Sequence, residues 1–540
     1  MAFIPTTEKN RREMLEVIGV ASIDELLAAN VPEDLMFKGE LDIPAPLSEL
    51  EVEKLLREIA DQNEHAGTHV CFLGGGAYDH FIPSAVKHVV SRPEFYTSYT
   101  PYQPEVAQGN LQAMYEYQSL ICELTGMDAA NASMYDGASA LAEAALMAQA
   151  HSGRTEILVP RSVHPWYRRV IRTYCSRSGI TVKEIPVREG TVDPAALAAA
   201  CGPDTAAVLV QHPNFFGLLE PVTEIEPVVH GAGALLVTSS DPIALGLLEP
   251  PGAFGADVAT GEGQALGNPL NFGGPYLGLF AVKQDLIRRM PGRLVGATQD
   301  KQGRRGFVLT LQTREQHIRR EKAASSICTN QQLCALAATV YLSLMGKAGL
   351  PRVSELCLQK AHYLADRLSA IPGFGLMFPG PFFKEFVLQT PVPPARVIRA
   401  MQEEKIFAGV DLSRFDYGIS NGLLIAVTEK RTREEMDRFS RLMAKHFAVR
   451  RPGPIVQKKG DPEMAASKSK TTKKPAAKKP AKKPAKKPAA KKSATKKQLG
   501  RKRTLRNPAR VKAMRKSGRG LAGMHEKAKI RRRGKGGKKR

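Results

Sequence analysis

Between about Val70 and Gln284 short apolar runs alternate with longer helical stretches, and no other feature of the sequence restricts the fold as much. The runs are Glu156 to Val159, Thr181 to Val187, Ala206 to Gln211, Ala234 to Ser239, Ala256 to Thr260 and Gly278 to Val282, with an alanine-rich helix expected over Ala138 to Ala150. A strand that alternates with a helix must return parallel to its predecessor, so the pattern predicts an α/β domain with a mostly parallel sheet covered by helices. In such sheets functional groups gather at the carboxyl ends of the strands.

Other signals flank this region. Ahead of it, Arg11 to Asn30 reads as helical, with Ser22 opening a short helix, and Ser48 followed by Glu51 is a capping box for a helix to about Asn63. Behind it, helices over Gln331 to Met345 and Val353 to Leu368 lead to shorter elements at Phe386 to Gln389, Phe407 to Val410, Gly422 to Val427 and Thr432 to Phe447. The expected organisation is therefore an N-terminal helical arm (1–69), a large α/β domain (70–330), a small α/β domain (331–450) and a Lys/Arg/Pro/Ala-rich segment (451–540) expected to be disordered. No apolar run approaches the ~18 residues needed to cross a bilayer, and Met1 to Arg12 lacks the order of a signal peptide, so an intracellular, cytoplasmic protein without membrane contact is expected. Seven cysteines without CxxC spacing argue against disulfides and a zinc site.

Charge separates the last segment from the rest. The chain has 78 Lys+Arg and 53 Asp+Glu, a net +25. From Val456 onward there are 34 basic and 3 acidic residues (Asp461, Glu463, Glu526), which leaves 44 basic and 50 acidic before it, a net of −6. The positive excess belongs to the tail alone, which excludes a nucleic-acid-binding surface over the whole protein.

Three segments carry candidate chemistry. Phe95 to Glu105 holds Tyr96, Tyr99, Tyr102 and Gln103 between prolines, a stiff loop that suits either a subunit interface or a substrate-lining surface. Asn131 to Ser139 runs small residues, including Gly137 and Ser139, into the alanine-rich helix; its free N–H groups suit a phosphate, or simply a helix start capped by Asp136 or Ser139. The third is the pair of strand ends carrying Asp241 and Glu262 to Gln264. A carboxylate at one strand end and a lysine at the next are what a pyridoxal-phosphate site needs, for ring nitrogen and Schiff base respectively. The lysine is missing, since none lies between Lys183 and Lys283.

Six strings, TEKNRREMLEVIG, SYTPYQPEVAQG, ICELTGMDAANASMYDGASALAEAALMA, NFGGPYLGLFAV, TREQHIRREKAASSICTN and AVTEKRT, follow one another in order from about Phe3 to Phe447. Together they resemble the α subunit (subunit 1) of two-chain bacterial glycine decarboxylase, the P-protein of the glycine cleavage system. The resemblance implies an aspartate-aminotransferase-like fold, that of the fold type I pyridoxal-phosphate enzymes, with large and small domains. It implies a subunit of a heterotetrameric glycine dehydrogenase (decarboxylating), inactive without its β partner. In that chemistry glycine forms an imine with pyridoxal phosphate, carbon dioxide leaves, and the aminomethyl group passes to the lipoyl H-protein.

By the same resemblance the cofactor is expected on the partner β chain and not covalently on this one, where GEGQALG replaces a lysine-bearing turn. Gly137, Ser139, Asp241 and Gln264 would then be a relic cofactor pocket. Tyr96, Tyr99, Tyr102 and Gln103 would line the shared active site. Arg314, His317, Arg319 and Arg320 would meet an acidic carrier or a phosphate, or else form a solvated helix face or interchain salt bridges. The tail departs from the family. Its KKPA repeats from Lys473 to Lys492 resemble linker-histone tails and predict nucleic-acid binding through residues 456–540. The alternative function is accordingly a histone-like nucleic-acid-binding protein on an inactive enzyme scaffold.

Overall fold

The computed structural model describes residues 5–98, 101–323, 325, 327 and 330–449. Its main sheet has seven strands in the spatial order Ala129–Ala130, Gly278–Val282, Val258–Glu262, Leu235–Ser240, Thr205–His212, Glu156–Pro160 and Thr181–Ile185. The five from Val258–Glu262 to Thr181–Ile185 are mutually parallel, and Gly278–Val282 runs antiparallel to both its neighbours. Each apolar run of the sequence is one of these strands.

Alternate residues of these strands feed two cores, as the two-residue period of a strand requires. Leu158, Val208, Val210 and Leu236 pack on one face, while Ile157, Val159, Leu209 and Val237 pack on the other. The second face is covered by the helix Gly137–Ser152, which has ten buried residues, five of them alanines. Small side chains let this helix lie close to the sheet, and an apolar surface all round is tolerated because it is buried on all sides.

A smaller antiparallel sheet has the order Gly375–Leu376, Glu385–Gln389, Gly422–Ala426 and Val410–Asp411, with the helices Pro394–Glu403 and Arg433–Phe447 contributing to its core. Here the structure corrects the expected boundaries. Val70–Cys71 pairs in parallel with Ile406–Phe407, and Phe72, Phe215, Phe216 and Leu218 belong to the small core, although all lie in the range assigned to the large domain. The crossing is tight at Gly217: its φ is +84°, and a Cβ there would sit 2.0 Å from the Glu385 carbonyl oxygen.

The two helices expected after Gln331 are one element, Gln332–Ser369, with a non-helical φ/ψ at Gly346. Its first half (Ala335 to Leu342) packs in the large core and its second half (Ala361 to Leu368) in the small one, so a boundary at 331 falls at the start of a shared strut. Among the described residues this helix is also long and apolar enough by composition to cross a membrane, an exception to the expectation that no such stretch exists. Its apolar faces are those that fill the two cores. The run expected over Phe407 to Val410 divides into Ile406–Phe407 and Val410–Asp411 around Gly409, and the hairpin Leu294–Gln299 with Arg305–Thr310 had no counterpart in the sequence reading. That hairpin is half-exposed, so it lacks a continuous apolar run.

The arm consists of Glu8–Ile18, Ile23–Asn30 and Glu49–Ala60, capped by Thr7, Ser22 and Ser48 side chains. None of the three helices has a buried residue, and Val17, Leu50 and Leu56 are exposed.

Candidate functional site

The carboxyl ends of the central strands place Gln211, Ser239, Ser240, Asp241 and Glu262 around a cavity of about 30 Å³, closed on the other side by Lys384 and Glu385 of the small domain. That volume is far below the ~300–1,000 Å³ of ordinary small-molecule sites. Side chains occupy the space instead, and its charged side chains are paired, although the buried Ser240 hydroxyl on its wall has no hydrogen-bond partner.

Lys384 is 1% exposed. An ammonium has three protons to place, and the geometry accounts for each. Asp241 Oδ2 accepts at 2.7 Å, His80 Nε2 lies at 3.0 Å, and the face of the Tyr78 ring is 3.5 Å away. Burial, then the Lys384 charge, lower the His80 pKa, which favours a neutral ring. His80 Nδ1–H therefore donates to Glu429 Oε2 at 2.6 Å, leaving Nε2 to accept from Lys384. Burial opposes ionisation of Glu429, but hydrogen bonds from His80 and the Phe81 N–H prevail and hold its carboxyl at about 2. His80, Cys357 and Glu429 offer donor atoms within 4.8 Å of one another, but the Lys384 ammonium against His80 repels a metal cation there.

At the next strand end, Glu262 turns its carboxyl onto the helix that starts at Gly137. Its oxygens accept from the N–H groups of Gly137 at 2.9 Å, Gln264 at 3.0 Å and Leu277 at 3.1 Å. Burial pushes the carboxyl up to about 8, against the pull of these donors. Asp136 caps the same helix through Ser139, as one sequence reading expected. Gln264 is 2% exposed and holds the loop before the helix Ser84–Val90, accepting from Tyr78 N–H at 2.9 Å and donating to the Tyr78 carbonyl at 3.1 Å.

That loop, Gly74 to His80, is also held from the small domain. Gly75 N–H and Tyr78 O–H donate to the two oxygens of Glu385, each at 2.7 Å, and burial raises the Glu385 carboxyl to about 7. The AVTEKRT string closes the other side. Asp79 pairs with Lys430 at 2.6 Å and Arg431 at 3.1 Å, and Thr428 Oγ1–H donates to the Asp79 carbonyl at 2.8 Å.

Of the residues singled out in the sequence, Asp241 lines the cleft, Gln264 reaches it through Tyr78, and Gly137 through Glu262. The tyrosine loop lies elsewhere. Tyr96 is exposed and lines a separate cavity of about 80 Å³ with Phe95, Asn110, Met114 and Gln332, which shares no lining residue with the first. Tyr102 is half-buried under the Arg293 guanidinium, 3.6 Å from ring centroid to Cζ, and Arg293 pairs with Glu315 at 3.3 Å. Gln103 is exposed, and Tyr99 lies outside the described residues.

Arg314 is turned inward, donating to the carbonyls of Met290, Gly292 and Leu311. His317 is half exposed and 3.6 Å from Glu315, while Arg319 and Arg320 are exposed. Arg314 thus stands apart from the other three: it ends the turn Gln312–Arg314 and points inward, while His317, Arg319 and Arg320 face outward. Lys384, His80 and Glu429 were missed, and Glu262 was legible only as part of a strand end. One signal was available: Lys384-Glu385 interrupts the otherwise apolar run Pro381 to Leu388, as a buried polar pair does.

Residues 1–443 match the profile of the glycine cleavage system P-protein. The chain belongs to this family. It is 53% identical over 438 residues to the probable glycine dehydrogenase (decarboxylating) subunit 1 of Desulfitobacterium hafniense, covering 81% of this chain and 98% of that one. The corresponding subunit of Chlorobaculum parvum is 55% identical over 440 residues, with the same coverage. A crystal structure of the P-protein glycine decarboxylase in inhibitor-bound form superimposes with a TM-score of 0.77 at 44% identity, over 82% of this chain and all of that one. A sphingosine-1-phosphate lyase of Burkholderia pseudomallei shares the fold alone, at 15% identity and a TM-score of 0.56 over 78% of this chain and 93% of that one. The P-protein family thus places this chain among fold type I pyridoxal-phosphate enzymes, with the tail beyond the matched region.

Proposed function

We propose that the chain is subunit 1 of a two-chain glycine dehydrogenase (decarboxylating), that the pyridoxal phosphate is held by the partner subunit, and that the aminomethyl group formed from glycine is passed to a lipoyl H-protein. The observation that carries the assignment is the P-protein match over residues 1–443 together with full coverage of a glycine decarboxylase structure. The placement of the cofactor is supported by the cleft. Its residues do not fit pyridoxal phosphate, because Gln264 stands in the turn where a lysine is needed, Asp241 is engaged by Lys384, and the Gly137 N–H is engaged by Glu262. No step of the reaction is therefore assigned to these groups. The exposed apolar side chains of the arm support a second chain packed on this one.

Borohydride reduction of the two-subunit enzyme loaded with pyridoxal phosphate is the test. The expected label maps to a lysine of the partner; a label on any lysine of residues 1–449, Lys384 included, overturns the placement.

We infer a supporting part for the tyrosine loop in the same reaction. Tyr102 is tied through Arg293 to Glu315, so the loop and the TREQH string form one piece. Tyr102→Phe keeps the ring on Arg293 and removes only the hydroxyl, worth about 0.5–1.5 kcal/mol as a hydrogen bond. Turnover of the assembled enzyme is expected to fall about 3- to 10-fold, with subunit association unchanged by sedimentation. Weakened association at unchanged turnover would make the loop an interface only. The tail, by its charge, is proposed to bind nucleic acid.

A further inference from the structure

In an enzyme of this fold a bound cofactor makes two attachments to the large domain: its ring nitrogen takes an aspartate at one strand end, and its phosphate takes the N–H groups at a helix start. Both attachment points persist here, and both are taken by side chains of the chain itself. Asp241 receives the Lys384 ammonium at 2.7 Å. The Gly137 N–H donates to Glu262 at 2.9 Å, and a Cβ added at Gly137 would lie 2.7 Å from the Tyr167 hydroxyl and 3.0 Å from Glu262, so the helix start is filled as well as bonded.

We propose that Lys384 and Glu262 are a built-in replacement for the missing cofactor, closing the cleft to any phosphorylated pyridine and bracing the small domain against the main sheet. This rests on the reading that the cofactor belongs to the partner, and extends it by assigning the emptied pocket a present function. Lys384 comes from the small domain, in the turn that leads into Glu385–Gln389, and Asp241 from the end of Leu235–Ser240 in the large sheet. The pair thus spans the boundary between the two cores. It is not an isolated contact, since His80 and Glu429 continue it across the cleft to the AVTEKRT segment.

The arrangement also explains how the fold accommodates a buried lysine. An ammonium removed from water needs a counter-charge and partners for all its protons, and Asp241, His80 and the Tyr78 ring supply them. Removing Lys384 alone leaves Asp241 as an unpaired charge, whereas neutralising both partners leaves none.

Two measurements on the full-length chain test the two halves of the proposal. In thermal melts, Lys384→Met is expected to lower Tm by about 5 °C or more, and the neutral pair Lys384→Gln/Asp241→Asn to recover at least half of that loss. A neutral pair that melts as low as the single variant overturns the brace, and a Lys384→Met chain that does not fold while the neutral pair does supports it.

The second measurement uses pyridoxine 5′-phosphate, which has no aldehyde and cannot bond covalently to lysines, with inorganic phosphate as the control for the basic tail. The wild-type chain is expected to show equal Tm in both. Lys384→Ala/Glu262→Ala, with Asp241 and the helix start released, is expected to gain about 2 °C or more in 1 mM pyridoxine 5′-phosphate over phosphate, the shift of a ligand at many times its Kd. No gain in that variant overturns the closure. A gain in the wild type as large as in the variant instead overturns the earlier reading that this pocket does not take the cofactor.

Discussion

Asp79→Ala is expected to destabilise the chain by about 3 kcal/mol, the scale on which one partner of a buried ion pair is missed. Asp79 receives both Lys430 and Arg431, and the Arg431 side chain is only 5% exposed. After the substitution Arg431 keeps a longer contact with Glu435 at 3.6 Å, and Lys430, about one-third exposed, turns to water. The loss therefore comes mainly from Arg431. Arg431→Ala should cost less than Asp79→Ala, because Asp79 retains Lys430. Urea denaturation of the three proteins measures this; equal midpoints for Asp79→Ala and wild type would mean that the AVTEKRT segment does not hold the Gly74 to His80 loop in place.

Truncation after Gly453 is expected to reduce affinity for duplex DNA more than 100-fold and to leave subunit assembly and glycine decarboxylation unchanged. The removed segment carries all the positive excess, with 34 basic residues against 3 acidic ones and no aromatic residue from Val456 to Arg540. Without aromatic side chains it has no stacking platform for bases, so its binding rests on phosphates and discriminates little between sequences. Counterion release sets the salt dependence, with a log–log slope of about −0.9 for each phosphate neutralised on B-DNA. Filter binding at 50 and 200 mM salt checks both statements. A truncated chain that binds as tightly as the full-length one, or a full-length chain insensitive to salt, would remove the assignment.

The sequence made the main sheet legible because each of its central strands is buried on both faces and so reads as an unbroken apolar run. Helix starts were legible for a local reason as well: Ser48 and Glu51 cap within three residues of each other. The domain boundary was not, because Phe72 and Phe215 join a core made largely of residues beyond 360, and nothing in a local window records which core an apolar residue enters. The cleft was half legible. Asp241 and the absent lysine are neighbours in sequence order along one sheet, whereas Lys384 lies about 140 positions from Asp241 and Glu429 about 350 from His80. Charge pairs formed over such separations depend on topology, which spacing does not encode.

Those separations bear on how the chain is made. Val70 is paired with Ile406, Gly75 with Glu385 and His80 with Glu429, so the start of the compact region is completed by its end. A polypeptide still attached to the ribosome with its first 400 residues exposed has the whole parallel sheet but lacks Ile406, the Gly422–Ala426 strand and the AVTEKRT clamp. Its Phe72, Phe215 and Phe216 have only an incomplete core to enter, and closing a loop of more than 300 residues is left until late in translation. The period of greatest exposure to chaperones and proteases is therefore late in synthesis, after most of the enzyme body has already been built.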